Sequence, residues 1–486
     1  MLFNSYIFIL FFCPIALILY FGLNRLGRET GAKCVLIGMS LWFYAYFNVS
    51  YLFLIMGSVV FNFIYSRMLC RQKPGAKGKI LLAIGIAANI SLIFYYKYFN
   101  FFLENINAIF HSDFAIRQVL MPLGISFYTF QQISYLVDSY RMETKDYKMI
   151  DYALFITFFP QLVAGPIVLH DEMIPQFNDR SRKKLSYDKL ACGIHLFAVG
   201  LFKKVMIADT LGKGVTWGFA DPQVLTAPDV LIVSVLYTLQ LYFDFSGYCD
   251  MACGIANMFH FDLPLNFNSP YKAASIQEFW QRWHITLTRF LHKYLYYPLG
   301  GNRRGKARTA VNIILVFVVS GIWHGAGWTF ILWGLLHGLA SIFHRFFKNI
   351  WEKIPRLICW AVTFLFVDLA WILFRAESLS SAGILYGKLI APWEWRISSA
   401  LLEQFQLLEF TYVEDHVAFL KAFVNQFPFL HLAVVLGSAL FIALIPRNCQ
   451  EKKFMPGAWN AAGSIVMLVW SVLSLSGVTT FLYFNF

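Results

Sequence analysis

Two histidines stand where hydrophobic sequence gives them no obvious reason to be, and both could carry acid–base chemistry. His324 lies in SGIWHGAGW, deep inside an apolar stretch over 311–344 and far in sequence from any compensating charge. Gly321, Gly325 and Gly327 leave the backbone around it bare, which permits close approach of another helix or of a substrate. A histidine there stays neutral at low cost and, with an unperturbed pKa near neutrality, suits abstraction of a proton from a hydroxyl. The competing role is structural, an imidazole satisfied by an interhelical hydrogen bond. His284 lies in EFWQRWHITL, with Trp280, Trp283 and His284 at helical spacing and Arg282 across from them. An amphipathic interfacial helix, with tryptophans at headgroup level and Arg289 and Lys293 reaching phosphates, accounts for the Trp and Arg. It accounts less well for His284, which needs a polar partner on its buried side.

Other residues around these two carry potential chemistry. Asp244 and Asp250, six apart in YFDFSGYCDMA, either pair with arginine on a neighbouring helix or line a cavity, because ionisable groups at membrane depth are expensive and usually face a protein interior. The run GGNRRGKARTA, with Arg303, Arg304, Lys306 and Arg308, serves either as a positively charged loop or as a cradle for the phosphates of a nucleotide-bearing donor. No GxGxxG or Walker pattern accompanies it, which argues against a conventional nucleotide fold. The eight cysteines show no CxxC and no spacing for zinc or a disulfide framework, so no metal site is expected. His195, His260, His292, His337, His344 and His431 read as structural or interfacial.

The elements that must position these groups are transmembrane helices. With 58% hydrophobic and only 14% charged residues, and a mean hydropathy of +0.58, the chain is too apolar for a soluble protein. About 20 helical residues cross the hydrocarbon core. Apolar runs of roughly that length recur at 6–23, 34–47, 51–65, 80–97, 119–137, 152–169, 190–208, 229–258, 311–344, 357–375, 431–446 and 464–484. They predict about eleven to thirteen spans, some tilted or re-entrant, in an all-α polytopic protein. The first is not expected to be a cleaved signal peptide, since no basic residue precedes it. No repeat or soluble domain interrupts the pattern, so 1–486 reads as a single membrane domain with its chemistry over about 241–344.

The net charge of +13 excludes itself as a nucleic-acid signal by its placement. Arg25, Arg28 and Lys33, then Arg67, Arg71, Lys73, Lys77 and Lys79, then Arg141, Lys145 and Lys148 sit in short loops, as the positive-inside rule requires. This predicts an external N-terminus, with 24–33, 66–79, 138–151 and 345–356 inside, provided that 152–169, broken by Pro160 and Pro166, enters and leaves on one face. Lys203 and Lys204 leave the parity around 190–228 open. The stretch 376–430, with Glu394, Glu403, Glu409, Glu414 and Asp415, reads as an external loop with short interfacial helices.

Taken in order, YFDFSGYCDMA, NFNSPY, FWQRWHITL, YYPLGGNRRG and GIWHG resemble the membrane-bound O-acyltransferase family, and more narrowly its bacterial polysaccharide-acetylating branch. The resemblance extends upstream through MPLGISFYTFQQISYLVD and FPQLVAGPI. It implies a ring of tilted helices around a thinned centre, the family's essential histidine at His324 and its second characteristic histidine at His284. It further implies acetyl-CoA as donor substrate, a polysaccharide acceptor and a secreted or tethered SGNH-type acetyltransferase partner, with no nucleic acid involved. The D-alanyl-transferring branch that serves teichoic acid is the nearest competitor, and the YYPLGGNRRG run and chain length stand against it.

On either reading the expected chemistry is acyl transfer from a thioester, in which the protein positions the donor, deprotonates a hydroxyl and excludes water. His324 is the expected general base. His284, with Asp244, is expected to orient the acceptor or balance charge, and Trp280, Arg282, Trp283, Arg303, Arg304 and Lys306 to contribute to substrate binding. A lipid or sugar transporter without acyl chemistry also fits broken helices and a midplane polar site, but only one WHG-like region is present and no second half echoes it. A scaffold for polysaccharide export needs neither His324 nor a donor path.

Overall fold

The computed structural model describes residues 1–486 apart from 73–74, 118, 145, 393–394, 452–453, 476–479 and 483–486. Lys73, Lys145, Glu394 and part of the 464–484 segment thus lie outside the described residues. Among the described residues every regular element is helical. Seven helices among the described residues are long and apolar enough to cross a bilayer: Phe8–Arg25, Ser50–Cys70, Ala76–Phe110, Tyr187–Ala220, Ala227–Met258, Gly305–His324 and Arg356–Arg375. The number falls below the eleven to thirteen expected because several apolar runs fold as shorter helices, such as Met149–Thr157 with 9 residues and Leu430–Leu444 with 15. At 1.5 Å per residue, nine residues reach about 14 Å, roughly half the hydrocarbon core.

The axis of the fold is Ala227–Met258, 32 residues buried along most of their length. Its start is fixed by a reciprocal cap, in which Thr226 Oγ1 accepts from the Asp229 amide at 3.3 Å while the Asp229 carboxylate accepts from the Thr226 amide at 3.1 Å. Tyr187–Ala220 packs antiparallel against it through two glycine pairs. A Cβ on Gly193 would lie 2.5 Å from the Gly254 carbonyl oxygen, and one on Gly200 the same distance from that of Gly247. Small residues at this seam let the backbones touch, the usual basis of helix association in lipid.

The same crossing buries two ion pairs. Lys203 Nζ lies 2.6 Å from Asp250, and Lys204 Nζ lies 2.8 Å from both Asp244 and Asp209. The π-helical turn Lys203–Ala208 is where both successive lysines reach acidic partners. The partners of Asp244 and Asp250 are therefore lysines, not the arginines considered from sequence. Lys203 and Lys204 are interior charges, not loop signals, and the chain runs through them as one helix.

Ion pairs also gather the basic loops on one face. Lys33 meets Asp151 at 2.5 Å and Asn178 at 2.7 Å, Arg67 meets Asp146, and Lys183 meets Glu29. The 152–169 segment begins beside Asp151 on this face and returns to it at His170, whose Nε2 lies 3.3 Å from Asp138. Its two ends thus lie close to the same 138–151 loop. Arg289 and Lys293 do not reach out to phosphates: Arg289 pairs with Glu172, and Lys293 with Asp138 at 3.2 Å. The 376–430 stretch contains the short helices Leu379–Ile390, Ser399–Glu403, Leu408–His416 and Ala418–Gln426.

Candidate active site

His284 caps the start of Ile285–Leu291 in a left-handed conformation, φ 44° and ψ 52°, and is fully buried. A non-glycine residue in that region costs about 1–3 kcal/mol and persists only where its surroundings hold it. The surroundings are a small polar hub. The side-chain oxygen of Asn266 accepts from His284 Nδ1 at 3.1 Å, from the Thr286 amide at 3.2 Å and from Thr286 Oγ1 at 2.8 Å. The Asn266 carbonyl accepts from the Ile285 amide at 2.9 Å, and Thr286 Oγ1 accepts from the Ile167 amide at 3.0 Å. NFNSPY, RWHITL and AGPI, far apart in sequence, thus converge on one residue. Because an amide oxygen only accepts, His284 carries its proton on Nδ1 and presents a lone pair at Nε2.

His324 is the last residue of Gly305–His324, at the tip of a hairpin with Trp328–Phe346. The hairpin closes through glycine: a Cβ on Gly321 would lie 2.3 Å from the Phe330 carbonyl oxygen, and one on Gly334 lies 2.4 Å from that of Phe317. The imidazole is buried in an aromatic box, with ring centroids 4.9 Å from Trp323, 5.3 Å from Trp333 and 5.1 Å from Phe374. Its centroid is 6.4 Å from that of His284. Two histidines 40 positions apart in sequence are therefore neighbours in the buried interior, close enough for both to serve a single reacting centre.

The helix end that carries His324 is closed from outside the motif. Lys97 Nζ donates to the carbonyls of Trp323 at 2.6 Å and His324 at 3.0 Å, and Tyr98 Oη donates to that of Ile322 at 2.7 Å. The orphan carbonyls of a helix terminus need such donors, and a cation suits the negative end of the dipole. Lys97, Gly124, Ser126, Phe127, Val163, Trp323 and His324 are among the residues lining a cavity of about 20 Å³.

The remaining residues singled out from sequence fall into three places. Trp280 and Trp283 are buried in the aromatic cluster, not set at headgroup level: Trp280 Nε1 donates to His337 Nδ1 at 3.3 Å, and the Trp283 ring lies 5.1 Å from that of Trp371. Arg282 pairs with Glu278 at 2.9 Å and donates to the Asn268 carbonyl at 3.2 Å. The Asp244 carboxylate is held by Lys204 and by the Leu482 amide at 3.0 Å, while its neighbour Phe245 packs edge-on to His284 at 5.0 Å. Arg303, Arg304 and Lys306 are exposed and, among the described residues, paired with no carboxylate. They sit in a loop with glycines at φ 103°, 55° and 84° at Gly300, Gly301 and Gly305.

Lys306 lines a cavity of about 160 Å³ that shares Asn302, Ile313 and Arg345 with a second cavity of about 340 Å³. The second reaches Trp280 and Ser320. Ser320 lies one turn before His324 on the same helix face. The two cavities thus adjoin, one beside the basic loop and the other reaching the helical turn that precedes His324. Asn266, Lys97, Trp333 and Phe374 were not picked out from sequence. Two of them carried a signal there, Asn266 inside NFNSPY and Lys97 as a cation closing the apolar run 80–97.

Buried neighbouring histidines, an aromatic box around one of them and adjoining cavities beside a basic loop together suit an intramembrane transfer site. The chain belongs to the membrane-bound O-acyltransferase family, whose model matches residues 79–379, and it is a multi-pass membrane O-acyltransferase. It is 46% identical to the peptidoglycan O-acetyltransferase of Helicobacter pylori over 412 residues, 79% of this chain and 78% of that protein. It is 39% identical to a probable alginate O-acetylase of Pseudomonas aeruginosa over 405 residues, 82% of this chain and 76% of that one. The teichoic acid D-alanyltransferase of Bacillus subtilis is more distant, 28% identical over 242 residues that cover 48% of this chain and 60% of that protein.

Proposed function

We propose that this protein is a membrane O-acetyltransferase of the bacterial cytoplasmic membrane, moving acetyl groups from cytoplasmic acetyl-CoA towards an extracytoplasmic polysaccharide. The observation that carries the reading is the burial of His324 beside His284, one helical turn beyond Ser320, which lines a cavity adjoining the one that Lys306 lines. The guanidinium and ammonium groups of Arg303, Arg304 and Lys306 would hold donor phosphates, and the adjoining cavity would receive the thioester arm. His324 takes the proton of the attacking hydroxyl. His284, fixed by Asn266, offers Nε2 to orient that hydroxyl. The aromatic box keeps water from the thioester. Positioned base catalysis contributes about 100- to 10,000-fold, so the chemistry rests on His324.

Among the described residues the 376–430 stretch forms only short helices, the longest, Leu379–Ile390, having 12 residues, which is little surface for holding an extended polymer. A secreted or tethered SGNH-type acetyltransferase would therefore take the acetyl group and pass it to the sugar. The test is reconstitution in nanodiscs with labelled acetyl-CoA and polymer. Transfer to polymer that requires the SGNH partner supports the reading; efficient acetylation by the purified chain alone overturns the division of labour, and no use of acetyl-CoA overturns the donor.

A further inference from the structure

Lys97 is placed with more care than a cap requires. It sits in the π-helical turn Phe94–Tyr98 of the Ala76–Phe110 helix, and such turns re-aim side chains and recur at functional sites. Two of the three ammonium hydrogens are spent on the Trp323 and His324 carbonyls. Among the described residues no carboxylate lies within ion-pair distance of it. This contrasts with the other cations inside the fold, Lys203 and Lys204, which face aspartates. An ammonium without a counter-ion at membrane depth favours the arrival of negative charge.

That charge has a place to form. Lys97 and His324 are both on the wall of the cavity of about 20 Å³, room for one oxygen-sized group. The start of Ile125–Tyr140 also lines this cavity, through Ile125, Ser126 and Phe127, and that helix end carries no side-chain cap. Gly124, at φ 72°, lets this end approach, since a Cβ there would lie 2.7 Å from the Leu162 carbonyl oxygen. The helix field therefore adds to that of the ammonium.

We infer that Lys97 is a catalytic residue whose ammonium stabilises the oxyanion formed on the donor carbonyl while His324 takes the acceptor's proton. The inference rests on the reading that the donor is an acetyl thioester. The acceptor oxygen bonds to the carbonyl carbon, its proton passes to His324, and the π pair of the C=O bond moves onto the oxygen beside Lys97. Collapse restores the C=O bond and breaks the C–S bond, and the leaving thiolate recovers the proton from His324. Removal of a single oxyanion donor typically lowers kcat by about 100- to 1000-fold.

A purely structural cap is the competing role, and Tyr98, which caps the same helix end without charge, separates the two. Purified Lys97→Met, Lys97→Gln and Tyr98→Phe proteins are compared with wild type for release of CoA from acetyl-CoA with the SGNH-type partner and polymer present, for affinity towards S-ethyl-CoA, which lacks the thioester carbonyl, and for melting temperature. Both Lys97 variants are expected to lose about 100- to 1000-fold in kcat while binding S-ethyl-CoA as wild type does, and Tyr98→Phe to keep wild-type kcat. A Lys97→Gln protein with wild-type kcat overturns the inference. So does a loss of kcat shared by Tyr98→Phe and tracking melting temperature. Failure of the wild-type protein to release CoA would instead overturn the donor reading on which the inference rests.

Discussion

Replacing Asn266 by Ala deletes one oxygen on which three hydrogen bonds converge, from His284 Nδ1, the Thr286 amide and Thr286 Oγ1. The backbone bond from Ile285 survives the substitution, so the turn itself keeps one anchor. The imidazole N–H and the Thr286 N–H are left buried without an acceptor, at about 1–3 kcal/mol each, or about 2–6 kcal/mol together. The left-handed conformation of His284 adds about 1–3 kcal/mol of strain that the lost bonds had been opposing. Both effects push His284 out of its tautomer and position. The expected outcome is a lower melting temperature and a fall in acyl transfer of at least about tenfold, the scale of one misplaced group in a positioned site. The tautomer is read directly by nitrogen NMR on histidine-labelled protein: Nδ1 protonated in wild type, mixed in the variant. A variant with the wild-type rate and an unchanged His284 signal would refute the hub's role.

Three further outcomes follow from other parts of the molecule. Gly321→Ala drives a Cβ against the Phe330 carbonyl oxygen, 2.3 Å away, and should open the hairpin that carries His324; wild-type transfer by a fully inserted variant would contradict this. Replacing Arg303, Arg304 and Lys306 together by Gln should raise the KM for acetyl-CoA more than it lowers kcat, with a defect that added salt reproduces in wild type; an unchanged KM would make these residues topology signals only. A cysteine at Gln72 of a cysteine-free variant should resist an impermeant thiol reagent in intact cells, and ready labelling would reverse the orientation assigned to the basic face.

The class of fold and both histidines were legible in the sequence because intramembrane polarity is costly and therefore conspicuous. His324 and His284 showed as anomalies against Leu, Ile, Trp and Phe. Contacts made by ordinary-looking residues were not legible. Asn266 is one of several polar residues in NFNSPY, and nothing local reveals that its side chain meets Thr286 from RWHITL. Lys97 looked like a cation ending an apolar run, since its role depends on a π-helical turn and on a helix more than 200 residues away in sequence. Asp244 and Asp250 were as conspicuous in a long apolar helix, but that lysines of the neighbouring helix hold them was not legible. Trp280 and Trp283 showed why spacing alone misplaces tryptophan. The aromatic residues on Trp328–Phe346 and Arg356–Arg375 draw both rings inward, to His337 and Trp371.

The central claim is that His324 performs the transfer. It is tested most directly by measuring acetyl transfer from acetyl-CoA by purified His324→Ala protein beside wild type, each with the SGNH-type partner and polymer, at matched insertion and melting temperature. The account predicts a loss of about 100- to 10,000-fold with donor affinity retained. Transfer within a few-fold of wild type by the well-folded variant would contradict it.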